Sequence, residues 1–397
     1  MGRLKFWCYL TVSILLLVWV GATPAQDRLD EIRERLIKER IGEELAKGLK
    51  DFNPSHLSEG LTILYTIDPC LQAGMRRFME RARLPYGAFV AIEPRSGRVL
   101  ALVDYSLKDP NFAGASLKAS YPAASIFKLI TASAVVEKLG LTGEAKIKYR
   151  GASHAMSRNL IREDRRRDKR VTTLKEALGE SNNPVFARLA LRVGVRELRR
   201  YAQAFLFNQD IDFELPLEVS RATIPEESYA LARSGAGFEG TYISPLHGAL
   251  IASAIANDGI IMRPRIIDKV VDEEGRVLYQ EGAMRLARPI RPTTARELRG
   301  MMRETVTVGT AAKIFHFLLP EAWARGIEFG GKTGTLRGNS PPGRYDWFVG
   351  LAPLDGPQIA VSALVINDGR GKVKGAHLAM EAFRIYFQEE GCIRSAH

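Results

Sequence analysis

The sequence predicts an α+β protein: a central antiparallel sheet with helices on both faces, an inserted all-helical lobe, and one N-terminal membrane segment in front. Three observations carry that prediction. β-rich runs lie at both ends of the main part of the chain, a long and mainly helical block separates them, and an almost wholly apolar stretch opens the sequence.

The apolar stretch is residues 6–22, "FWCYLTVSILLLVWVGA". Its length is near the lower limit for a membrane span. Arg3 and Lys5 precede it, and Asp27, Asp30 and Glu31 follow. That asymmetry puts the amino terminus in the cytoplasm and exports the rest. "GATPAQ" behind it also suits a cleavage site, so residues 1–25 read as a signal anchor or a signal peptide. Residues 26–60 read as a juxtamembrane amphipathic helix and linker. Ile37, Ile41, Leu45 and Leu49 recur every four residues among charges, and "NPSHLSEG" breaks the run.

The main domain spans residues 61–397. "LTILYTID" reads as a strand and "PCLQAGMRRFMERAR" as a helix. "AFVAIEP" and "RVLALVD" form a hairpin around Arg95-Ser96-Gly97, a turn that needs positive φ at its glycine. From Ser125 to about Asn257 the pattern is mainly helical. "RPRIIDKVVDEEGRVLYQ" reads as a small hairpin and "TARELRGMMRETVT" as a helix. "GIEFGGKTGTLR", "YDWFVGLAP" and "IAVSALVIND" return to strands, and "HLAMEAFRIYFQEE" closes with a helix.

The chain has 397 residues, 46% of them hydrophobic, enough to bury a large core. Its formal charge of +12 suits nucleic acid, a membrane surface or an anionic polymer. The excess is concentrated in "RNLIREDRRRDKR", residues 158–170, where interleaved acids indicate a solvated face. No zinc-finger spacing and no nucleic-acid fingerprint occurs, so no nucleic acid is expected as a partner. His56, His154, His247, His316, His377 and His397 show no H-x-H or H-x-x-H spacing, and no CxxC occurs, so no metal is expected. No P-loop or GxGxxG follows a strand, and no cofactor is expected.

The chemistry rests on three short elements in order: Ser125-Ile-Phe-Lys128, Ser181-Asn182-Asn183 and Lys332-Thr333-Gly334-Thr335. A serine alone is a poor nucleophile and needs a base beside it. Residues at i and i+3 share a helical face, so Lys128 can reach over Ser125. The plain alternatives are a capping serine with a surface lysine, turn chemistry for Ser181-Asn182-Asn183, and an ordinary edge strand for the lysine-threonine run. Phe127, Phe186, Trp347 and Phe348 read as core.

These motifs, in this order, resemble those of the penicillin-binding proteins and serine β-lactamases. "LTILYTIDPCLQ", "FVAIEPRSGRVLALV", "ISPLHGALIASAIANDG" and "YDWFVGLAP" extend the resemblance over roughly residues 61–390. It implies a transpeptidase-like fold with Ser125 as nucleophile, Lys128 as its base, and Lys332 as the second cation that lowers the pKa of Lys128. Ser181 would relay a proton to the leaving amine, Asn183 would bind the acyl-side amide, and Thr333, Gly334 and Thr335 would hold the substrate with Lys332. The backbone N–H groups of Ser125 and Thr335 would form the oxyanion hole. Two departures stand out: Ala124 occupies a position that is usually glycine, and "SGAGFEG" is a variant glycine-rich lobe segment.

The reaction implied is D,D-transpeptidation of peptidoglycan stem peptides, with β-lactams as covalent inhibitors. A D,D-carboxypeptidase, a β-lactamase, and a non-catalytic β-lactam sensor or scaffold are the alternatives. The glutamate segment of class A β-lactamases, E-x-x-L-N, is absent, and S-N-N differs from the class D S-x-V. The chain has no room for a glycosyltransferase domain, so a separate peptidoglycan polymerase is an implied partner. The implied location is the bacterial cytoplasmic membrane, single-pass, with the catalytic domain outside. In the fold that the chain resembles, the first and last helices pack side by side, which would let Cys70 and Cys392 form a disulfide; two unpaired thiols are the alternative.

Overall fold

The computed structural model describes residues 55–57, 61–280, 282–369 and 371–388. The apolar stretch 6–22, the amphipathic run 28–52 and Cys392 lie outside them. Among the described residues no helix is long and apolar enough to cross a membrane.

The central sheet has five antiparallel strands: β1 (Tyr86–Ile92), β2 (Val99–Tyr105), β3 (Gly330–Asn339), β4 (Pro342–Ala352) and β5 (Ile359–Asn367). Their spatial order is β3-β4-β5-β1-β2, so the first and last strands of this sheet in chain order are neighbours. β5 is buried along its whole length, which its continuous run "IAVSALVIN" requires of a strand covered on both faces. β1 and β2 form the expected hairpin, with Gly97 at φ +77° in the turn.

Helices cover both faces. α1 (Pro69–Arg81) and α7 (Gly375–Gln388) lie side by side on one face. Leu71, Met75 and Met79 of α1 join Leu378, Ala382 and Phe383 of α7 over Phe89, Val361 and Phe348. Asp68 caps α1 by accepting from the N–H groups of Cys70 and Leu71. Cys70 is disulfide-bonded.

Inserted between β2 and β3 are α2 (Lys128–Leu139), α3 (Leu174–Gly179), α4 (Asn183–Val193), α5 (Pro245–Ala256) and α6 (Pro292–Thr307). α5 packs on the other face of the sheet and is buried at every position. Gly248 permits that approach, because a Cβ there would lie 2.5 Å from the Ser362 hydroxyl.

The insertion is not all-helical, as its pattern suggested. Tyr121–Pro122, Thr241–Ile243 and Arg221–Ala222 form a three-stranded sheet, and Lys146–Tyr149 pairs with Arg170–Thr173. Strands this short carry too few residues for a period-2 signal, and the helices around them dominate the pattern. Leu61–Tyr65 pairs with Ser55–Leu57 on one side and with Ile267–Val271 on the other, and with the hairpin partner Val277–Gln280 they form a separate four-stranded sheet.

The arginine-rich run has the exposed face its charge pattern indicates, with a built interior. Asp168 is buried and accepts from Arg188 through both carboxylate oxygens, at 2.8 and 2.9 Å, and from Arg150 at 2.8 Å. These contacts hold its carboxyl well below the usual range against the cost of burial.

Candidate active site

Ser125 lies in a 3-10 turn, Ala124–Phe127, that runs directly into α2. The serine does not cap the helix, because α2 has no side-chain cap bond at its start. Its hydroxyl instead meets Lys128 Nζ at 2.7 Å. The turn is tight enough to put Ala124 at φ +50°, a conformation that costs a non-glycine residue energy.

The glycine-rich variant "SGAGFEG" forms the wall behind this turn. The carbonyl of Ala236 accepts from Lys128 Nζ at 2.7 Å, and the carbonyl of Gly235 accepts from Thr131 at 2.8 Å. Gly237, at φ +85°, lies so close to the Ala124 carbonyl that a Cβ would stand 2.0 Å from its oxygen. This position needs glycine both for its backbone conformation and for its space.

The second motif divides its labour. Asn182 caps α4 by accepting from the N–H of Val185 at 3.1 Å. Asn183 turns into the site, where Oδ1 accepts from Lys128 Nζ at 2.9 Å and Nδ2 donates to the His154 carbonyl at 2.9 Å. The His154 contact fixes the amide orientation, since a carbonyl can only accept. Ser181 sits at φ +58° and lines the same cavity as Ser125 and Asn183.

β3 brings the third motif along the sheet edge. Lys332 is fully buried, and its Nζ donates to the Thr333 carbonyl at 2.8 Å. Gly334 packs against the Ser125 turn, with Ala124, Ile126 and Trp347 each 3.3 Å from where a Cβ would stand. Thr333 and Thr335 line a cavity of about 580 Å³ with Ser125, Ser181 and Asn183. All eight residues named from sequence therefore converge on one place: five line the cavity, and Lys128, Lys332 and Gly334 lie beneath it.

The aromatic residues separate. Phe127, Phe186 and Phe348 are core, as expected. Trp347 is buried too, yet its side forms part of the cavity wall, anchored by Nε1 donating to the Pro122 carbonyl at 3.0 Å.

Electrostatics favour a neutral lysine beside the serine. Burial, and then the charge of Lys332, holds Lys128 well below the ordinary lysine range. Burial alone brings Lys332 down to about 7. A neutral amine has two N–H donors and one lone pair. Asn183 Oδ1 and the Ala236 carbonyl can only accept, so they take both donors. The lone pair is left facing Ser125, whose hydroxyl then donates to it.

Burying Lys332 has a cost that can be measured. Between pH 7 and 10.5 the unfolded chain holds a proton on this lysine that the folded chain has released, so stability rises with pH across that window. The depression corresponds to roughly 4–5 kcal/mol, fully withheld below about pH 7. Lys332→Met, a near match in volume, is expected to raise the unfolding free energy at pH 7 by about 2 kcal/mol or more. It should also flatten the rise toward pH 10. Urea midpoints at the two pH values check this; a variant less stable than wild type at pH 7 would contradict it.

Sequence reasoning missed Ala236, which acts through its carbonyl, and Thr310 and Asp346, which also line the cavity. Asp346 accepts from Thr335 Oγ1 at 3.3 Å and is held by Arg344 and Asn367 at 2.9 and 3.0 Å. It lies inside the quoted strand "YDWFVGLAP", directly opposite Thr335 in register, and that pairing was the available signal.

Comparison with known proteins bears on the family of the chain. The model of the penicillin binding protein transpeptidase domain matches residues 87–385. The peptidoglycan D,D-transpeptidase PbpA of Mycobacterium tuberculosis is 28% identical over 355 residues, covering 80% of this chain and 70% of that one. Stage V sporulation protein D of Bacillus subtilis is 25% identical over 349 residues, covering 82% of this chain and 52% of that one. Among solved structures, the imipenem acyl-enzyme complex of penicillin-binding protein A from M. tuberculosis superposes with a TM-score of 0.66 at 25% identity, over 82% of this chain and 79% of that one. With the Ser125 turn, an amide loop and a lysine-threonine edge strand around one cavity, and a domain match over residues 87–385, the chain belongs to the penicillin-binding protein transpeptidase family.

Proposed function

We propose that the protein is a peptidoglycan D,D-transpeptidase in which Ser125 carries the acyl group of the stem peptide. One observation carries the reading most: Lys128 Nζ lies 2.7 Å from Ser125 Oγ while two obligate acceptors take its other contacts. Ser125 Oγ attacks the carbonyl carbon of the D-Ala-D-Ala bond and its proton passes to Lys128. The oxyanion is held by the N–H groups of Ser125 and Thr335, a contribution of about 3 kcal/mol for an aligned donor. The C–N bond breaks, and D-Ala leaves with a proton relayed through Ser181. An acceptor amine from a neighbouring strand then attacks the Ser125 ester, loses its proton to the same base and releases the serine. Lys332, Thr333 and Thr335 bind the terminal carboxylate, and Asn183 the amide on the acyl side.

Water in place of the amine would make the protein a D,D-carboxypeptidase. Purified protein given a D-Ala-D-Ala stem peptide and a stem-peptide amine is expected to form the cross-linked dimer faster than the hydrolysed tetrapeptide. Hydrolysis alone, at saturating amine, would favour the carboxypeptidase.

Residues 6–22 are proposed as the membrane anchor, with the catalytic domain outside the cytoplasmic membrane. The basic residues before the stretch and the acids after it support this. A reporter that works only outside, fused after residue 60, should be active. Activity of a cytoplasm-only reporter at that site would refute the topology. A separate peptidoglycan polymerase belongs to the same reading. It is checked by whether glycosyltransferase activity co-purifies from solubilised membranes.

A further inference from the structure

Thr310 belongs to none of the three motifs. It follows α6 in "TVTVGTAA", and it touches the third motif and the helix end just before the second. Its backbone N–H donates to the Gly179 carbonyl at 3.1 Å, and its hydroxyl reaches the same oxygen at 3.2 Å. Gly179 ends α3, two residues before Ser181. On its other side, Thr310 Oγ1 lies 2.5 Å from Thr333 Oγ1 on β3. The approach is permitted by Gly309, where a Cβ would stand 2.3 Å from the Gly179 oxygen and 2.8 Å from the Glu304 oxygen.

The direction of these bonds follows from what each atom can do. The Gly179 carbonyl only accepts, so both contacts of the Thr310 hydroxyl are hydrogen bonds only when its proton goes there. The Thr333 hydroxyl is then the donor in the short contact with Thr310. Thr333 therefore keeps its proton on Thr310 in this structure. To bind a carboxylate it must turn that proton to the ligand. The exchange replaces a neutral hydrogen bond by a charge-assisted one, which is roughly twice as strong. Thr310 keeps its bond to Gly179 throughout.

We propose that Thr310 is a positioning residue: it ties the Ser181 loop to the Lys332–Thr333 strand and presents Thr333 to the substrate carboxylate. The inference rests on the transpeptidase reading and adds to it a residue that the motifs do not contain. Thr310 touches neither reacting atom. It acts through Thr333 and the loop of Ser181, so its loss is felt most by ligands that carry the carboxylate.

The test compares acylation of the full chain by benzylpenicillin and by its methyl ester, which lacks the carboxylate charge. Thr310→Val keeps the shape and the backbone bond to Gly179 and removes only the hydroxyl. It is expected to lower acylation efficiency with the free acid about tenfold or more, since misplacement of a catalytic group by about 1 Å can cost a hundredfold. The ester should change far less, so the acid-to-ester ratio falls. Thr310→Ser should restore the ratio to within about twofold, as the hydroxyl is kept. Thr310→Ala supplies the same reading if the valine variant does not fold by circular dichroism. A ratio unchanged from wild type in either variant overturns the proposal, as does failure of serine to rescue. Thr333→Val separates the two levels. If it lowers the ratio and Thr310→Val does not, only the role of Thr310 falls. If wild type is acylated by neither compound, the transpeptidase reading falls with it.

Discussion

Ser125→Ala is expected to abolish covalent labelling by a fluorescent penicillin, with the circular dichroism spectrum unchanged. The loss should be complete rather than partial. Among the described cavity residues, Ser125 is the hydroxyl that meets a buried lysine. Ser181 has the same functional group, but Lys128 makes its three contacts with Ser125, Asn183 and Ala236. Thr333 commits its proton to Thr310, and Thr310 commits its own to Gly179. The fold should tolerate the change, because the serine side chain caps no helix and its loss leaves the Asn183 and Ala236 contacts of Lys128 in place. The same gel reports how the adduct decays. The sequence has no E-x-x-L-N glutamate segment of the class A β-lactamase type, so wild-type label should persist after free penicillin is removed. Label at wild-type level on the alanine variant would refute the nucleophile, and rapid turnover of nitrocefin by wild type would favour a β-lactamase.

How much of this could be read from the sequence depends on how far apart the partners are. Ser125 and Lys128 are three residues apart, so local geometry is enough to pair them. The helix before Ser181 and the strand of Lys332 carried recognisable residue types, and their convergence followed from the family resemblance rather than from periodicity. Ala236 contributes a backbone oxygen, which no side-chain pattern encodes, to a partner 108 residues away. Thr310 meets Thr333 across 23 residues and a helix end, where a threonine after glycine looks like any turn. The central sheet was legible because β5 and its neighbours are long apolar runs. The two-residue strands Tyr121–Pro122 and Arg221–Ala222 were not, although the first leads directly into the Ser125 turn. The glycine-rich variant at residues 234–240 departs from the family pattern, and its role rests on the contact of Gly237 with Ala124, which no residue pattern encodes. Asp168 sat in a run that read as solvated surface. Its burial depends on Arg188, twenty residues on, which no charge pattern in the run reveals.

Lys128→Met is expected to slow acylation by penicillin by at least about a thousandfold, the upper part of the range for loss of general-base help. The volume is kept, so the defect should lie in chemistry. Stability is a balance of two effects. The variant removes a buried amine whose charged form is penalised, and it orphans Asn183 Oδ1 and the Ala236 carbonyl, each at about 1–3 kcal/mol. The pH profile separates chemistry from folding. In wild type, acylation should fall as pH drops and Lys128 takes up a proton, because an ammonium cannot accept from Ser125. That limb should lie well below the ordinary lysine range, where burial and then Lys332 hold this amine. A second limb belongs to Lys332. Its charge is lost as pH rises through about 7 in the free protein, so affinity for a carboxylate-bearing penicillin should weaken above that point. The penicillin methyl ester should not show this second limb, and the methionine variant should lack the first. Acylation at the wild-type rate in Lys128→Met, or a low-pH limb that persists in it, would remove Lys128 from the role of base. The proton of Ser125 would then need another acceptor, and Lys332 does not supply one, since it is hydrogen-bonded to the Thr333 carbonyl rather than to Ser125.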